Sequence, residues 1–592
     1  MSIEPVALTD LEKDDRIDEV MRFFSQTLKQ ESAFAKLKSE QQEAVSAILQ
    51  SLTKMRFENI ASFQQVASSQ LKTIAPELDR YVPIAIDNAR GMLSEKQGVL
   101  VIYTGGTIGS APKDPDDPES PQVVKPWKDL KNAGPMLGAL GYPVDAVAFV
   151  DPLDSCNVGP PHWLAILRII QANYSKYSGF VVLHGTDSMV YTASALSFMM
   201  LDLGKPVVIT GSQIAGIVNP RNDAHQNMIT AIMLANPEAN NLEMIPEVII
   251  SFGNIIIRGC RSKKMNVIEY QGFDSPNYPR LGKAGDHIMI ERKHLRKAPE
   301  LDVEFMEDMD TNVIIVEVFP GMQHSPVLAN ILKDSNLRGV VLKAYGAGNI
   351  PTDPPFLNLF RDFIDRGGVV VCTTSCPAGE VVMGLYETSQ VLVDRGIIGG
   401  FDITPEAALC KLMVLLGKYG NDINSVKKFM QQSMAGEQRL SLETSDLPGK
   451  KTLTQGASPI EISGNLNSVA DPERIDRVML RFKNARLFSG STDPDHRVTI
   501  KLFNDGETRE HGENFLGAFP RRQVPAGALV QDESTGESLA IDLTLKKHLF
   551  LAKQSSARDR AKQKVRIGIA LEGDAGASFA WEDAELNIYT ME

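Results

Sequence analysis

Three short motifs carry the residue types from which an activated hydroxyl nucleophile can be built. Thr107, Thr186 and Lys264 each lie in one of these motifs, and Asp187 directly follows Thr186. A threonine hydroxyl is a poor nucleophile until a neighbour takes its proton, and a partly desolvated lysine held by a carboxylate can do so. The residue types therefore predict a relay for nucleophilic and general-base chemistry. The motifs are TGGTIG at 104–109, HGTDS at 184–188 and RGCRSKK at 258–264.

The same residues could serve other purposes. TGGTIG is not followed by the lysine and Ser/Thr of a phosphate-binding loop, and no GxSxG elbow of a serine hydrolase occurs in the chain. A metal site at His184 and Asp187 lacks companion ligands, because no HExxH pattern or paired CxxC surrounds them. Two structural roles stay open at this point. Lys264 could belong to a solvated basic face, and Asp187 could cap a helix.

The elements that must position these motifs are short β-branched runs that end in glycine turns. Such continuous apolar runs, alternating with helical stretches, indicate a parallel sheet covered on both faces. Open sheets of this kind bind ligands at the carboxyl ends of their strands, where the motifs lie. We expect the change from a larger to a smaller half near the polar segment Glu307–Thr311. The runs are VLVIYTGG, FVVLHGTD, KPVVITGS, EVIISFGN, VIIVEVF, GVVLKAYGAG and GVVVCTT.

Two regions flank this α/β unit. From about residue 10 to 95 apolar residues recur at helical spacing, as in Val45, Ile48, Leu49 and Leu52, which predicts a packing or assembly element. After residue 455 the apolar residues alternate strictly, which indicates an antiparallel β-sandwich or barrel. The alternating sets include Val498, Ile500 and Leu502; Leu539, Ile541, Leu543 and Leu545; Val565, Ile567, Ile569 and Leu571; and Leu586 and Ile588.

These patterns predict four parts and an α/β fold class with a two-domain parallel-sheet core. The parts are a helical amino-terminal extension (1–96), a larger α/β domain that carries the active site (97–305), a smaller α/β domain (306–445) and a β-rich carboxyl-terminal domain (446–592). A chain of 592 residues is too long for one hydrophobic core, and 43% apolar with 23% charged residues is typical of globular proteins.

Charge and cysteine content narrow the class of protein further. A net charge of −13 argues against nucleic acid as a partner, because phosphate binding requires clustered Lys and Arg. The five cysteines are an odd and sparse set, so we expect reduced thiols and a cytoplasmic location. No apolar run is long enough to span a membrane, and the amino terminus lacks the pattern of a secretory signal. We therefore expect neither export nor membrane insertion.

Taken together, the motifs of residues 98 to about 440 resemble the type I asparaginases. The likeness covers about 340 residues in one order, and the two threonine motifs together are highly specific to that family. Besides TGGTIG, it rests on DSCN at 154–157, GFVVLHGTDSMVYTASALSFMM at 179–200, GKPVVITGSQ at 204–213, RNDAHQN at 221–227, IIRGCRSKK at 256–264, GFDSPNYPRLGKAG at 272–285, AYGAGNIP at 344–351 and RGIIGGFDITPEAAL at 395–409.

The resemblance implies a role for each candidate residue. Thr107 is similar to the nucleophile that attacks the side-chain amide carbon of the substrate, and Thr186 and Lys264 are similar to the family's proton-relay pair. Asp187 corresponds to the residue that binds the substrate's α-ammonium group. Ser155 matches the residue that binds the α-carboxylate. Further substrate-binding candidates are Cys156, Gly106 and Gly185.

The loop after Thr107 departs from the family pattern. The family carries a tyrosine there that closes over the site, but residues 110–135 contain no tyrosine. Gln122 lies near the expected place, with Trp127 beyond it, so Gln122 joins the candidate substrate-binding residues. Asn157 stands where relatives commonly have an aspartate, and Lys263 beside Lys264 leaves open which lysine points inward.

The resemblance predicts hydrolysis of L-asparagine to L-aspartate and ammonia by a homo-oligomer, without metal or cofactor. The substrate is a small molecule, L-asparagine with L-glutamine as a second option. Three alternatives remain: the ammonia-releasing glutaminase-type subunit of a tRNA-dependent amidotransferase, a lysophospholipase-like hydrolase, and a non-catalytic amino-acid-binding sensor. The helical amino-terminal pattern argues against the first, because that subunit usually begins with a β-rich domain. Retention of all four candidate catalytic residues argues against the sensor.

Overall fold

The structure is a computed structural model, and it describes part of the chain. Trp127 lies outside the described residues. Most of the predicted helical extension, including the apolar residues before residue 37, also lies outside them. The described ranges are 37–52, 86–89, 97–114, 120–125, 140–215, 221–383, 387–447, 451–454, 460–466, 475–483, 485–488, 497–504, 515–522, 539–543, 563–572, 578–581 and 583–591.

Helices of the described ranges occur before and within the α/β unit. Helix α1 buries Val45, Ile48, Leu49 and Leu52 on one face, which confirms the predicted helical spacing there. None of the described helices is long and apolar enough to cross a membrane. The helices are α1 (Ser39–Leu52), α2 (Pro160–Asn173), α3 (Met189–Met199), α4 (Ala224–Ala235), α5 (Pro326–Leu332), α6 (Pro354–Asp365), α7 (Glu387–Asp394), α8 (Pro405–Tyr419) and α9 (Ile423–Met430).

The chain divides into two compact units, and the first contains the larger α/β sheet. This unit comprises Met1–Asn312 together with Glu406–Gly420, so its boundary falls next to the polar segment Glu307–Thr311. Its strands are β1 (Ile86–Ala89), β2 (Gly98–Gly105), β3 (Ser110–Pro112), β4 (Gln122–Val124), β5 (Val144–Leu153), β6 (Tyr177–Leu183), β7 (Met200–Leu201), β8 (Val207–Thr210), β9 (Val248–Phe252), β10 (Ile255–Arg258), β11 (Lys263–Lys264), β12 (Phe273–Asp274), β13 (Gly282–Ala284), β14 (Ile288–Ile290) and β15 (Glu304–Phe305).

Nine of the described strands form the main sheet of this unit, in the order β1-β5-β2-β6-β8-β9-β10-β13-β14. The five strands from β5 to β9 are parallel, whereas β1, β10, β13 and β14 pair antiparallel at the two sides. Strand β2 is buried along its whole length, as expected for a parallel strand that is covered on both faces. The parallel-sheet core that the apolar runs predict is confirmed.

One strand lies in the region predicted to be helical. Strand β1 occupies Ile86–Ala89 and pairs with β5, with Ile86 opposite Phe149. The prediction of a helical extension over residues 1–96 is wrong for these four residues, because the sequence IDNA is too short to show either period. An edge position on an existing sheet decides its structure, because pairing supplies backbone hydrogen bonds that local propensity cannot.

The second unit holds the smaller α/β sheet. It comprises Val313–Pro405 and Asn421–Glu592. Four of its described strands are parallel and lie in chain order. Their core includes Val340, Leu342, Val370 and Cys372, which pack with Phe356, Phe360 and Phe363 of helix α6. The strands are β16 (Val313–Glu317), β17 (Gly339–Ala344), β18 (Val369–Thr374) and β19 (Ile398–Gly399).

The same unit contains the carboxyl-terminal β region, whose described strands form three antiparallel sheets that share one apolar core. Ile500, Leu502, Ile541, Ile567 and Ile569 are fully buried, so the predicted alternation is confirmed for these strands. Its strands are β20 (Leu440–Leu447), β21 (Lys451–Thr454), β22 (Ile460–Leu466), β23 (Ile475–Lys483), β24 (Arg486–Phe488), β25 (Arg497–Asn504), β26 (Phe515–Arg522), β27 (Leu539–Asp542), β28 (Gln563–Glu572), β29 (Ser578–Trp581) and β30 (Asp583–Met591).

Within the second unit, the β region is fastened to the smaller α/β sheet by polar and aromatic contacts. Arg481 on β23 forms a partly buried ion pair with Asp394 at the end of α7, with 2.8 Å between Nη2 and Oδ1. Tyr589 on β30 meets Phe401 edge to face, with the ring centres 6.0 Å apart. These contacts hold the β region to the helix and turn that flank β19.

Candidate active site

A lysine, a threonine and an aspartate form the centre of the candidate site. The Lys264 ammonium donates to Thr186 Oγ1 at 2.9 Å and to Asp187 Oδ1 at 2.7 Å. Thr186 is buried and Lys264 is mostly buried, whereas 61% of the Asp187 side chain is exposed. The lysine is thus held between a buried hydroxyl and a carboxylate that still faces solvent, where a ligand can reach it.

Each of these side chains is placed by the end of a strand. Thr186 and Asp187 lie in the turn between β6 and α3, and Lys264 lies in the two-residue strand β11, opposite Phe273 of β12. Ser188, not Asp187, is the residue that caps α3, and it makes no side-chain capping bond. The two structural roles left open by the sequence are therefore not the ones these side chains adopt, and Lys264 rather than Lys263 points to Thr186.

The segment DSCN at 154–157 is hydrogen-bonded to this turn. Ser155 begins a short 3₁₀ helix after β5, and its Oγ accepts a hydrogen bond from the backbone N–H of Asp187 at 3.1 Å. The Ser188 hydroxyl in turn donates to the Ser155 carbonyl oxygen at 2.5 Å. Ser155 is 2% exposed, so the two predicted binding segments form one buried junction.

Thr107 is brought to the same place by a backbone contact between two glycines. A Cβ atom on Gly106, which has φ +85°, would lie 2.2 Å from the backbone nitrogen of Gly185. A Cβ on Gly185 would lie 2.5 Å from Ser155 Oγ. Because Thr107 follows Gly106 and Thr186 follows Gly185, this contact places the two threonines on adjoining turns. Thr107 begins a 3₁₀ helix and is partly exposed.

The loop after Thr107 begins as a short hairpin. Strand β3 pairs with β4, with Ser110 opposite Val124 near the base and Pro112 opposite Gln122 further out. The base is anchored by the Tyr103 hydroxyl, which donates to the Lys125 carbonyl oxygen at 2.7 Å. Gln122 is exposed and lies away from the anchored base, so the structure brings it onto the same loop as Thr107 but joins it to no other candidate residue.

Cys156 lies beside the site but is unsuited to be its nucleophile. Its side chain is exposed, and its backbone N–H donates to Asp154 Oδ1 at 3.2 Å. Desolvation and the nearby negative charges of Asp154 and Asp187 raise the pKa of its thiol. The thiolate is the reactive form, so these charges suppress it. All five cysteines of the chain are free thiols.

The structure thus brings together Thr186, Asp187, Lys264 and Ser155 through direct bonds, and Thr107, Gly106 and Gly185 through backbone contact. Sequence reasoning missed two residues near them. Trp163 lies on an apolar helix outside the motifs, and Thr192 lies in the apolar helical part of the motif at 179–200, where nothing marks its hydroxyl as functional. Sequence reasoning also considered His184 only as a metal ligand, although both ring nitrogens of His184 have hydrogen-bond partners within the described residues.

Two family models match the part of the chain that holds this arrangement. The model described as Asparaginase, N-terminal matches residues 98–296, and that of the Glutaminase/Asparaginase C-terminal domain matches residues 312–430. The chain belongs to the asparaginase family. The resemblance seen in the motifs is thereby confirmed, and the match leaves the amino-terminal extension and the β region outside the family core.

Named relatives of this asparaginase-family chain include proteins of different size. It is 38% identical over 346 residues to L-asparaginase 1 of Escherichia coli K12, which covers 58% of this chain and 98% of that protein. It is 36% identical over 288 residues to the mouse 60 kDa lysophospholipase, covering 48% of this chain and 50% of that protein. The crystal structure of L-asparaginase I from Vibrio cholerae aligns with a TM-score of 0.52 and 35% identity over 58% of this chain and 99% of its own.

The contact between Gly106 and Gly185 generates a prediction. Gly106→Ala should abolish amide hydrolysis, because its Cβ would meet backbone atoms of Gly185 that cannot move without displacing Thr186. Ammonia release and thermal unfolding should be measured together. The matched control is Gly141→Ala, since Gly141 has φ +74° with no atom within 4 Å of its Cβ position, and carries only the conformational cost of roughly 1–2 kcal/mol. Wild-type turnover by Gly106→Ala would contradict this account of the contact.

Proposed function

We propose that this asparaginase-family chain hydrolyses L-asparagine to L-aspartate and ammonia, with Thr107 as the nucleophile. The observation that carries the proposal is the bonding of Lys264 to both Thr186 and Asp187 beside the turn that bears Thr107. A lysine held between a hydroxyl and a carboxylate supplies a proton relay and a fixed negative charge within one small site. Ammonia release from L-asparagine is the direct test.

The first half-reaction transfers the acyl group to the enzyme. The Thr107 oxygen attacks the side-chain amide carbon of asparagine, while its proton passes through the Thr186 hydroxyl to Lys264 Nζ, which accepts it only after the ammonium has first released one proton to solvent. The C–N bond then breaks, and the proton returned by Lys264 leaves with the nitrogen as ammonia. Backbone N–H groups of the two glycine turns are suited to stabilise the oxyanion, a contribution that typically amounts to about 3–4 kcal/mol for one donor.

The second half-reaction releases the product. Water attacks the acyl ester, passes a proton to the same relay, and regenerates the Thr107 hydroxyl as aspartate departs. Asp187 and Ser155 position the substrate in both steps. The exposed carboxylate of Asp187 suits an α-ammonium group. Ser155 Oγ already accepts from the Asp187 N–H, so its own proton is left to donate to the α-carboxylate. Cys156, Gly106 and Gly185 complete the proposed binding surface.

The proposal extends to the cellular location and the oligomeric state of the enzyme. The five free thiols favour a reducing cytoplasmic location. We further propose a closed homo-oligomer built on the α/β core, with the four-part division of the chain given above. Apolar side chains directly after Lys264 are exposed in the single chain, among them Val267 (77%) and Ile268 (83%), and an oligomer would cover them. Sedimentation of fully active protein as a stable monomer would contradict the oligomer.

The alternatives are separated by one set of assays. A glutaminase-type amidotransferase subunit would release ammonia from glutamine in preference to asparagine, and a lysophospholipase-like enzyme would cleave fatty acyl esters. A sensor would bind an amino acid without turnover. Ammonia release from asparagine, glutamine and a small amide panel, together with an acyl-ester assay and calorimetric binding, distinguishes all four.

The two threonines should both be essential. Thr107→Ala and Thr186→Val are expected to abolish turnover of L-asparagine and to leave the unfolding temperature nearly unchanged, because neither substitution opens a large cavity. Steady-state ammonia release and circular dichroism check the two halves of this expectation. If either folded variant keeps most of the wild-type rate, that threonine has no part in the chemistry.

The two adjacent lysines provide a matched pair. Lys264→Met should lower kcat by about 10²–10⁴-fold, because a positioned proton-transfer group typically contributes that much. Lys263→Met changes the charge by the same amount one residue earlier and should leave kcat close to the wild-type value. A loss of less than tenfold in Lys264→Met, or an equal loss in both variants, would remove Lys264 from the relay.

Gln122 should affect closure of the site rather than its chemistry. Its amide can exchange hydrogen bonds with a ligand but lacks the aromatic ring that would help to exclude water. We expect Gln122→Ala to raise KM with little change in kcat, and Gln122→Tyr to lower KM. Steady-state kinetics on both variants, and on chains lacking residues 1–95 or 455–592 whose folding is checked by circular dichroism, decide between the loop and the added regions. The folding check is needed because these deletions remove β1 or the partner of β20. If all four proteins kept the wild-type kcat and KM, neither Gln122 nor the added regions would complete the site.

A further inference from the structure

A buried histidine directly precedes Gly185 and Thr186 and has no part in the proposed chemistry. The His184 side chain is fully buried, yet both of its ring nitrogens have a partner. Nδ1 lies 2.7 Å from the carbonyl oxygen of Gly185, and Nε2 lies 2.9 Å from Thr192 Oγ1. Burial lowers the pKa of His184 to about 4, so the ring is neutral near pH 7.

The direction of each hydrogen bond follows from which groups can donate. A carbonyl oxygen only accepts, so the single ring proton must lie on Nδ1, and Nε2 must accept. The hydroxyl of Thr192 therefore donates to Nε2. The indole N–H of Trp163 can only donate, and it lies 2.9 Å from the same Thr192 oxygen. The result is one ordered chain that runs from Trp163 through Thr192 and His184 to Gly185.

The chain ends on a peptide bond inside the candidate site. The Gly185 carbonyl and the Thr186 N–H belong to one planar trans peptide and point in opposite directions. Two backbone N–H groups fix the two sides of the turn: that of His184 donates to the Thr210 carbonyl oxygen at 2.8 Å, and that of Asp187 donates to the side-chain oxygen Ser155 Oγ. Between these anchors, in the part of the chain that the structure describes, the imidazole is the group that holds the Gly185–Thr186 peptide.

We propose that His184 is a positioning residue, held as the Nδ1–H tautomer by Thr192 and Trp163 so that it fixes the peptide from which the Thr186 side chain projects toward Lys264. This inference rests on the proposed function, because the orientation of the Gly185–Thr186 peptide affects the reaction only through the relay role of Thr186. The helices α2 and α3, which carry Trp163 and Thr192, thereby set the geometry of the relay without contact with a substrate. An error of about 1 Å in such a geometry can cost on the order of 10²-fold in rate.

Kinetics on Thr192 variants test the positioning role. Thr192→Val removes the hydroxyl that links the indole to the imidazole, and we expect kcat to fall by about 10–100-fold with KM changed less than about twofold. Thr192→Ser keeps the hydroxyl and should restore most of kcat. The matched control is Ser194→Ala, which removes a buried hydroxyl from the same helix that donates to the Val190 carbonyl oxygen instead. Wild-type kcat in folded Thr192→Val would overturn the proposal.

A second measurement does not depend on turnover. Nitrogen-15 NMR of protein labelled at histidine, with His184 assigned by its loss in His184→Asn, reports the tautomer directly. We expect the Nδ1–H tautomer in the wild type and a changed signal in Thr192→Val. The Nε2–H tautomer in the wild type would overturn the hydrogen-bond chain. Failure of the wild type to release ammonia from any amide would instead remove the proposed function, because the tautomer is read without substrate.

Two variants of His184 cover the case in which Thr192→Val does not fold. His184→Asn keeps a side-chain N–H near the position of Nδ1 but cannot reach Thr192, whereas His184→Ala keeps neither contact. We expect kcat of His184→Asn to lie well above that of His184→Ala. Equal kcat values in the two folded variants would show that the bond to the Gly185 carbonyl does not position Thr186.

Discussion

The candidate site depends on the contact of two backbones that carry no side chain at the point where they meet. Gly106 and Gly185 approach so closely that a Cβ on Gly106 would lie 2.2 Å from the Gly185 nitrogen. Strands β2 and β6 are neighbours in the parallel sheet, so their carboxyl ends emerge side by side. Parallel pairing brings the two turns near each other, and the glycines let them touch. The chemistry proposed for Thr107 and Thr186 requires that approach.

A second constraint is that the chemical groups are anchored from the buried side. Ser155, Thr186 and Lys264 each bond to a partner within the turn cluster, while the Asp187 carboxylate remains accessible from outside. Behind them, His184 is kept neutral by its burial. Rigid support beneath an exposed charge suits a site that binds a small polar ligand without reorganising itself. Fixed dipoles and hydrogen-bond donors are most effective in such a preorganised site.

Much of this arrangement could be predicted from the sequence, for identifiable reasons. Continuous apolar runs that end in glycine predict the parallel strands. Apolar residues at every second position, such as Ile500, Leu502, Ile567 and Ile569, predict the β region. The order of motifs then indicated the family. What remained hidden was contact between distant residues. No local pattern shows that Lys264 rather than Lys263 reaches Thr186, since the answer depends on the pairing of β11 with β12. Thr192 and Trp163 resemble ordinary buried helix residues, and the four residues of β1 are too few to show a period.

The pairing of the β region bears on how the chain acquires its structure during synthesis. Strand β20, the first of that region, pairs with β30, and β30 also pairs with β23, so the last strand lies between two early ones. The amino-terminal part of a chain emerges from the ribosome first, and domains generally fold as units in that order. The α/β core can therefore form while β20 and β23 still lack their shared neighbour. For that interval both strands expose unpaired edges, and exposed strand edges favour pairing with other chains.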